Sequence, residues 1–237
     1  MQTERFQTTQ TRTREIDEGL RQHMNNIYAK MTAGVLVTAV VAWVVGNSPL
    51  LLNLFLGGPQ AYLVMFAPLA IIWFGFRPDK MKASQLMAAF FGVATVYGIS
   101  FAAIAVMVSA NPAFGVDVAK AFFIATAMFA GLSVFGYTTK KDLSPIRTFA
   151  TMGIIGLIAA SVMNIFFQSS MMSNVIAGVG IILFSGITVW QTQDMKEMYA
   201  PAMPAEFANR MSWAAALNLY ISFIALFQYI LHFMSQR

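Results

Sequence analysis

Seven stretches of this chain are too apolar for water and about as long as a bilayer is thick: residues 27–46, 60–76, 83–110, 118–137, 146–167, 172–190 and 212–233. A transmembrane helix needs about 20 mostly apolar residues, and a helix satisfies its own backbone polar groups inside lipid. The runs are continuous rather than alternating, so the sequence predicts an all-α membrane protein with seven transmembrane helices. Only 11% of the 237 residues are charged, where a soluble domain carries about a quarter. Polar breakers separate the runs: Asn47, Ser48 and Pro49 after the first, Asn111 and Pro112 after the third, Pro201 and Pro204 before the last. Residues 50–56 are apolar but too short to span, and Gly57, Gly58 and Pro59 follow them, so they are expected as an interfacial or re-entrant piece.

Lys and Arg placement orients such a chain. With the amino terminus inside, the cytoplasmic side receives Arg5, Arg12, Arg14, Arg21, Lys30, Arg77, Lys80, Lys82, Lys140, Lys141, Arg147, Lys196 and Arg210, thirteen of the 15 basic residues. The outer side receives Lys120 and Arg237. The expected topology is amino terminus in and carboxyl terminus out, with a polar cytoplasmic segment over residues 1–26 and one helical domain over 27–237. Residues 1–26 lack the apolar core of a signal peptide. The net charge of +5 then reflects topology, and the partner it implies is the lipid bilayer, not nucleic acid. With no cysteine, thiolate metal sites and cysteine nucleophiles are absent.

The sixth run ends in a polar stripe. Ser185, Thr188, Gln191 and Thr192 fall on one side of a helix at 100° per residue, and Asp194 follows. Asn218 and Ser222, four apart, give the seventh run a stripe of its own, and Asn164 sits in the fifth. Lipid offers these groups no partners. They are either hydrogen-bonded contacts between helices or the lining of a polar cavity.

Three segments resemble the Bax inhibitor-1 (TMBIM) family, which includes bacterial YccA-like proteins. They are AGLSVFGYTTKKDLS at 130–144, LFSGITVWQTQDMK at 183–196 and ALNLYISFIALF at 216–227. HMNNIYAKMTAG near the start and GLIAASVMNIFF in the fifth run also fit. The most specific part is a cytoplasmic signature loop containing Tyr137, Thr138, Thr139, Lys140, Lys141 and Asp142. The resemblance implies a bacterial inner-membrane protein in which six helices surround a central carboxyl-terminal one. It also implies, for some members, a slow calcium leak gated by pH through two aspartates. The matching positions here are Gln191 and Ser222, so both acids are missing.

Two close carboxyls in a low dielectric share a proton and switch charge with pH. An amide and a hydroxyl can hold the hydrogen bond of the protonated pair, but neither titrates. Calcium prefers carboxylate-rich oxygen sets, so no metal site is expected. Asp194 is expected as an interfacial charge beside Lys196, and Asp142 as a helix-end or loop ion pair.

Ser133 and His232 superficially suggest an intramembrane serine protease. They belong to opposite ends of their spans, about 20 Å apart in depth at 1.5 Å per residue, beyond proton-transfer reach. No catalytic function or cofactor is expected. The favoured reading is a regulatory membrane protein, for which the YccA-like resemblance implies a membrane-bound AAA protease as partner. The alternative is a cation leak through a polar pathway between the sixth and seventh spans.

Overall fold

The computed structural model describes residues 2–235, with side chains from residue 18 onward, and is helical throughout its regular structure. Arg5, Arg12, Arg14 and Arg237, which enter the charge asymmetry, lie outside the residues whose side chains are described. The helices are α1 (Gln2–Gly46), α2 (Pro49–Leu56), α3 (Gln60–Ala70, continued by a π-helical turn Ile71–Gly75), α4 (Ala83–Ala110), α5 (Pro112–Thr138), α6 (Ser144–Phe167), α7 (Ser170–Glu197) and α8 (Ala205–Ser235). Six are long and apolar enough to cross a membrane, and the bent pair Pro49–Leu56 and Gln60–Gly75, 74° apart, makes a seventh if taken as one span.

Local chemistry sets the ends. Asn111 accepts from the Ala113 N–H at 3.0 Å with Pro112 at the first helical position, which starts α5 six residues before its apolar run. Ser169 does the same for α7. Gln168 closes α6 in the left-handed region at φ 49°. Pro68 lies inside α3, where it removes a backbone donor, and the helix widens into its π turn three residues later. The polar amino-terminal segment is continuous with the first span, in one helix ending at Gly46.

Close contacts fix the directions. Gly34 meets Phe90, Gly98 meets Val41 and Gly46 meets Ala105, so α1 and α4 run parallel. The segment 47–82 therefore carries the chain back along their length. Thr38 meets Tyr220, and Lys30 meets Ser212, so α8 is parallel to both. Tyr220 is fully buried, and its hydroxyl lies 2.6 Å from Thr38 Oγ1. Thr38 Oγ1 also lies 3.0 Å from the carbonyls of Gly34 and Ala94. The assignment that uses every group has Thr38 donating to a carbonyl and Tyr220 donating to Thr38.

α8 carries many of the buried residues and packs on α1, α4, α5 and α7; α1 packs on α4, α6 on α7 and α3 on α4. Trp213, Tyr220, Phe223 and Phe227 interlock edge-on or tilted with Phe90, Tyr97, Phe129 and Phe101. By contrast α6 presents Phe149, Met152, Ile155 and Ile158 to the surroundings.

Candidate functional site

The α7–α8 seam holds the polar groups singled out in the sequence. The helices run antiparallel, with Gly180 against the Tyr229 ring and Gln191 against Ser222. Ser222 is 1% exposed, and its hydroxyl donates to Gln191 Oε1 at 2.9 Å. A neutral amide and a neutral hydroxyl thus tie the helices together, with no proton to lose over physiological pH.

A small cavity of about 50 Å³ lies on the Lys/Arg-rich side of this bond, lined by Gln191, Asp194 and Asn218 among others. A cavity of about 350 Å³ lies toward the other end of the seam, lined by Ser161, Asn164, Ser173, Gln228, Tyr229 and His232. Between them stand the Phe184 and Tyr229 rings, 5.9 Å apart, and the Gln191–Ser222 bond.

The stripe residues divide by length. Ser185, Thr188 and Thr192 each donate to the carbonyl four residues back, at 2.7, 2.7 and 2.9 Å. Their needs are met within α7. Gln191, two carbons longer, bonds across to α8. Asn164 serves the α6–α7 turn: its Oδ1 accepts from the Ser169 N–H and its Nδ2 donates to Ser173 at 2.7 Å.

The signature loop is clamped to the end of α7, mainly through a residue that sequence reasoning passed over. Gln193, 7% exposed, donates to the Lys141 carbonyl at 2.8 Å and accepts from the Leu143 N–H at 3.2 Å. Lys196 Nζ donates to the Tyr137 carbonyl at 2.9 Å and lies over the Tyr137 ring. Gly136 lets α5 rest on the Val189 carbonyl. Thr138 bonds back within α5, and Thr139 Oγ1 accepts from the Lys141 N–H. The expected ion pair of Asp142 is replaced by a turn: its carboxylate accepts from the Ser144 N–H at 2.9 Å. Hydrogen bonds from the side chain and backbone of Ser144 hold that carboxyl below its usual range. Among the described residues the one ion pair is Lys120–Asp117. The position of Gln193, two beyond Gln191 and off the stripe, was the available signal.

Replacing Gln193 by alanine would leave the buried Leu143 N–H without a partner, at about 1–3 kcal/mol. The expected result is faster amide exchange across 138–143 with α7 itself unchanged; unaltered protection there would show that the clamp is held elsewhere.

Beside the clamp, Lys30 donates to Asn209 at 2.7 Å and to Ser212, and lies 4.4 Å over the Trp213 ring. Glu206 accepts from the Ala83 N–H at 2.9 Å, and Arg210 donates to the Pro78 carbonyl. The sequence reads as polar from Asp194 to Arg210, yet α7 runs on to Glu197 and α8 begins at Ala205. These bonds fasten the first turns of α8 to α1, to the start of α4 and to the turn before α4.

The sequence model of the family described as inhibitor of apoptosis-promoting Bax1 matches residues 20–237. The uncharacterized protein RP147 of Rickettsia prowazekii is 34% identical over 233 residues, covering 97% of this chain and 96% of that protein. An uncharacterized Caulobacter vibrioides protein is 34% identical, covering 92% and 90%. The inner membrane protein YbhL of Escherichia coli is 30% identical over 224 residues, covering 92% and 93%.

Proposed function

This chain belongs to the Bax inhibitor-1 family, and from that premise we propose that it is a seven-span regulatory protein of a bacterial inner membrane, without a pH switch. The observation that carries this reading is the Ser222–Gln191 bond at 2.9 Å, a neutral link where the family resemblance implies two acids. The inner-membrane assignment draws on YbhL, a relative with that name, and on the apolar helices. The parallel run of α1 and α4 supports counting 47–82 as a span. Lys80, Lys82, Lys140, Lys141, Lys196 and Arg210 gather at the end of the bundle where α8 begins, which supports placing that end in the cytoplasm. Exposed groups there, with the polar start of α1, form the face offered to a partner, for which a membrane-bound AAA protease is the proposed class. A protein in this role needs neither catalytic residues nor a cofactor.

A second reading, a cation leak insensitive to pH, is favoured by the two polar cavities that flank the bond along one seam. A neutral lining can pass ions when a path opens.

Calcium flux into proteoliposomes of the full chain, followed from pH 5 to 8, separates these. Flux at the background of empty vesicles at every pH is the expected result. Flux that is present and flat selects the leak, and steeply pH-dependent flux overturns the reading of Gln191 and Ser222 and points to Asp194, at the mouth of the inner cavity.

A further inference from the structure

α1 and α5 both pack on α8, and between them a groove runs the length of the bundle. It has two chambers, of about 630 and 530 Å³, which share Val35, Phe122 and Phe223. Phe223, 4% exposed, forms its floor, while Val134 at 63% and Trp43 at 67% stand on its open sides. The groove therefore opens sideways, toward the space that lipid fills in a membrane.

Depth along α1 gives the groove a register. The apolar part of α1 begins at Ile27, so Val35 lies about 12 Å inside it, close to the midplane of a hydrocarbon layer about 30 Å thick. Each chamber is one leaflet deep. Arg21 lies about 9 Å beyond Ile27 in the other direction, at headgroup level.

The two mouths differ chemically. The chamber at the amino-terminal end of the described α1 side chains is lined at its mouth by Arg21, Asn25, Tyr28 and Tyr137. The far chamber has Asn47 and Ser109 at its mouth and no charged residue in its lining. One cation, placed where phosphates lie, guards one leaflet only.

A second observation falls in the same chamber. Ser133, 7% exposed, lines it, and its hydroxyl has no partner in the protein. On the same helix, Thr126 closes on the carbonyl of Phe122 one turn back. Ser133 is thus left with an unused, buried hydroxyl in the wall of the slot, below the level of Arg21.

We propose that the α1–α5 groove is a binding site for one anionic glycerophospholipid of the leaflet at the Arg21 end. Its phosphate pairs with the Arg21 guanidinium, its ester region meets Ser133, and one acyl chain runs along Phe129 and Phe223 to Val35. The occupant is a lipid and not a helix because the slot has a charged end at phosphate depth and an apolar shaft of single-leaflet length. The site is independent of whether the α7–α8 seam conducts.

Native mass spectrometry of the full chain released from nanodiscs of equal phosphatidylglycerol and phosphatidylcholine tests this. The expected result is one retained phosphatidylglycerol per chain, preferred over phosphatidylcholine. Arg21→Gln should lower that preference about fivefold, the worth of one basic group near a charged surface, and Arg21→Lys should restore most of it. Ala130→Trp, which fills the chamber from an exposed position, should remove the retained lipid of either kind. Equal retention of both lipids by the parent, or a preference unchanged in Arg21→Gln, would overturn the assignment. So would a second copy in the groove, which a single cysteine at Ala130 would report: the chain has none of its own, and a disulfide dimer through that position would show helix on helix instead of lipid.

Discussion

Replacing Gln191 and Ser222 together by aspartate is expected to give a protein whose calcium flux climbs with pH. The parent bond is 2.9 Å long and its donor is 1% exposed, so two carboxyls in these places would stand in hydrogen-bond contact away from water. They would share one proton, with two apparent pKa values belonging to the pair. Below the upper value the shared proton reproduces the link that Gln191 and Ser222 make now. Above it, two carboxylates repel at short range and the seam separates beside the cavity of about 50 Å³. One proton lost per link broken allows flux to rise by at most about tenfold per pH unit. Proteoliposomes carrying a calcium dye read this directly. Flat flux from the double variant, with its fold intact by circular dichroism, would show that the seam is held shut by something other than this pair.

The second large effect is expected at Gly136. A Cβ there would fall against the backbone carbonyl of Val189 and 3.0 Å from Thr192 Cβ, so relief requires α5 and α7 to move apart. Overpacking of this kind costs about 1–3 kcal/mol, and the separation would also strain the Gln193 and Lys196 clamp. Gly131, on the same helix, supplies the control: nothing lies within 4 Å of a Cβ built there. Gly131→Ala should be neutral or stabilising by up to about 1 kcal/mol, the helix propensity difference. Gly136→Ala should lower the thermal midpoint in detergent or nanodiscs and release the 138–143 loop. Equal behaviour of the two variants would mean that the α5–α7 contact is not set by this glycine.

The contrast between these glycines shows where sequence reasoning ran out. Both lie in one apolar run and look alike as letters, and only the neighbour that each faces distinguishes them. The polar stripe has the same character. Its four side chains share a helical side, yet three hydroxyls are short enough to bond their own backbone and a single amide reaches α8. Of the two readings left open for the stripe, helix contact or cavity lining, the described bonds within α7 and the single bond to α8 are of the contact kind. Asn164 stitches a turn and lines the far chamber, well away from Gln191.

The sequence by itself determined where the apolar runs lie and where they break, the family and the inequality of charge between the two ends, although several helices extend beyond their runs. Each of these is read locally: hydrocarbon thickness selects runs of about 20 residues, and proline and asparagine act within a turn. The run at 83–110 coincides with α4 end to end. Only the tertiary structure decided which face of each helix meets which neighbour. In lipid, apolar faces gain nothing by turning inward, so helices that are apolar all round carry no periodicity that marks an interface. Packing shape and a few hydrogen bonds make that choice, between residues such as Thr38 and Tyr220 that lie 182 positions apart.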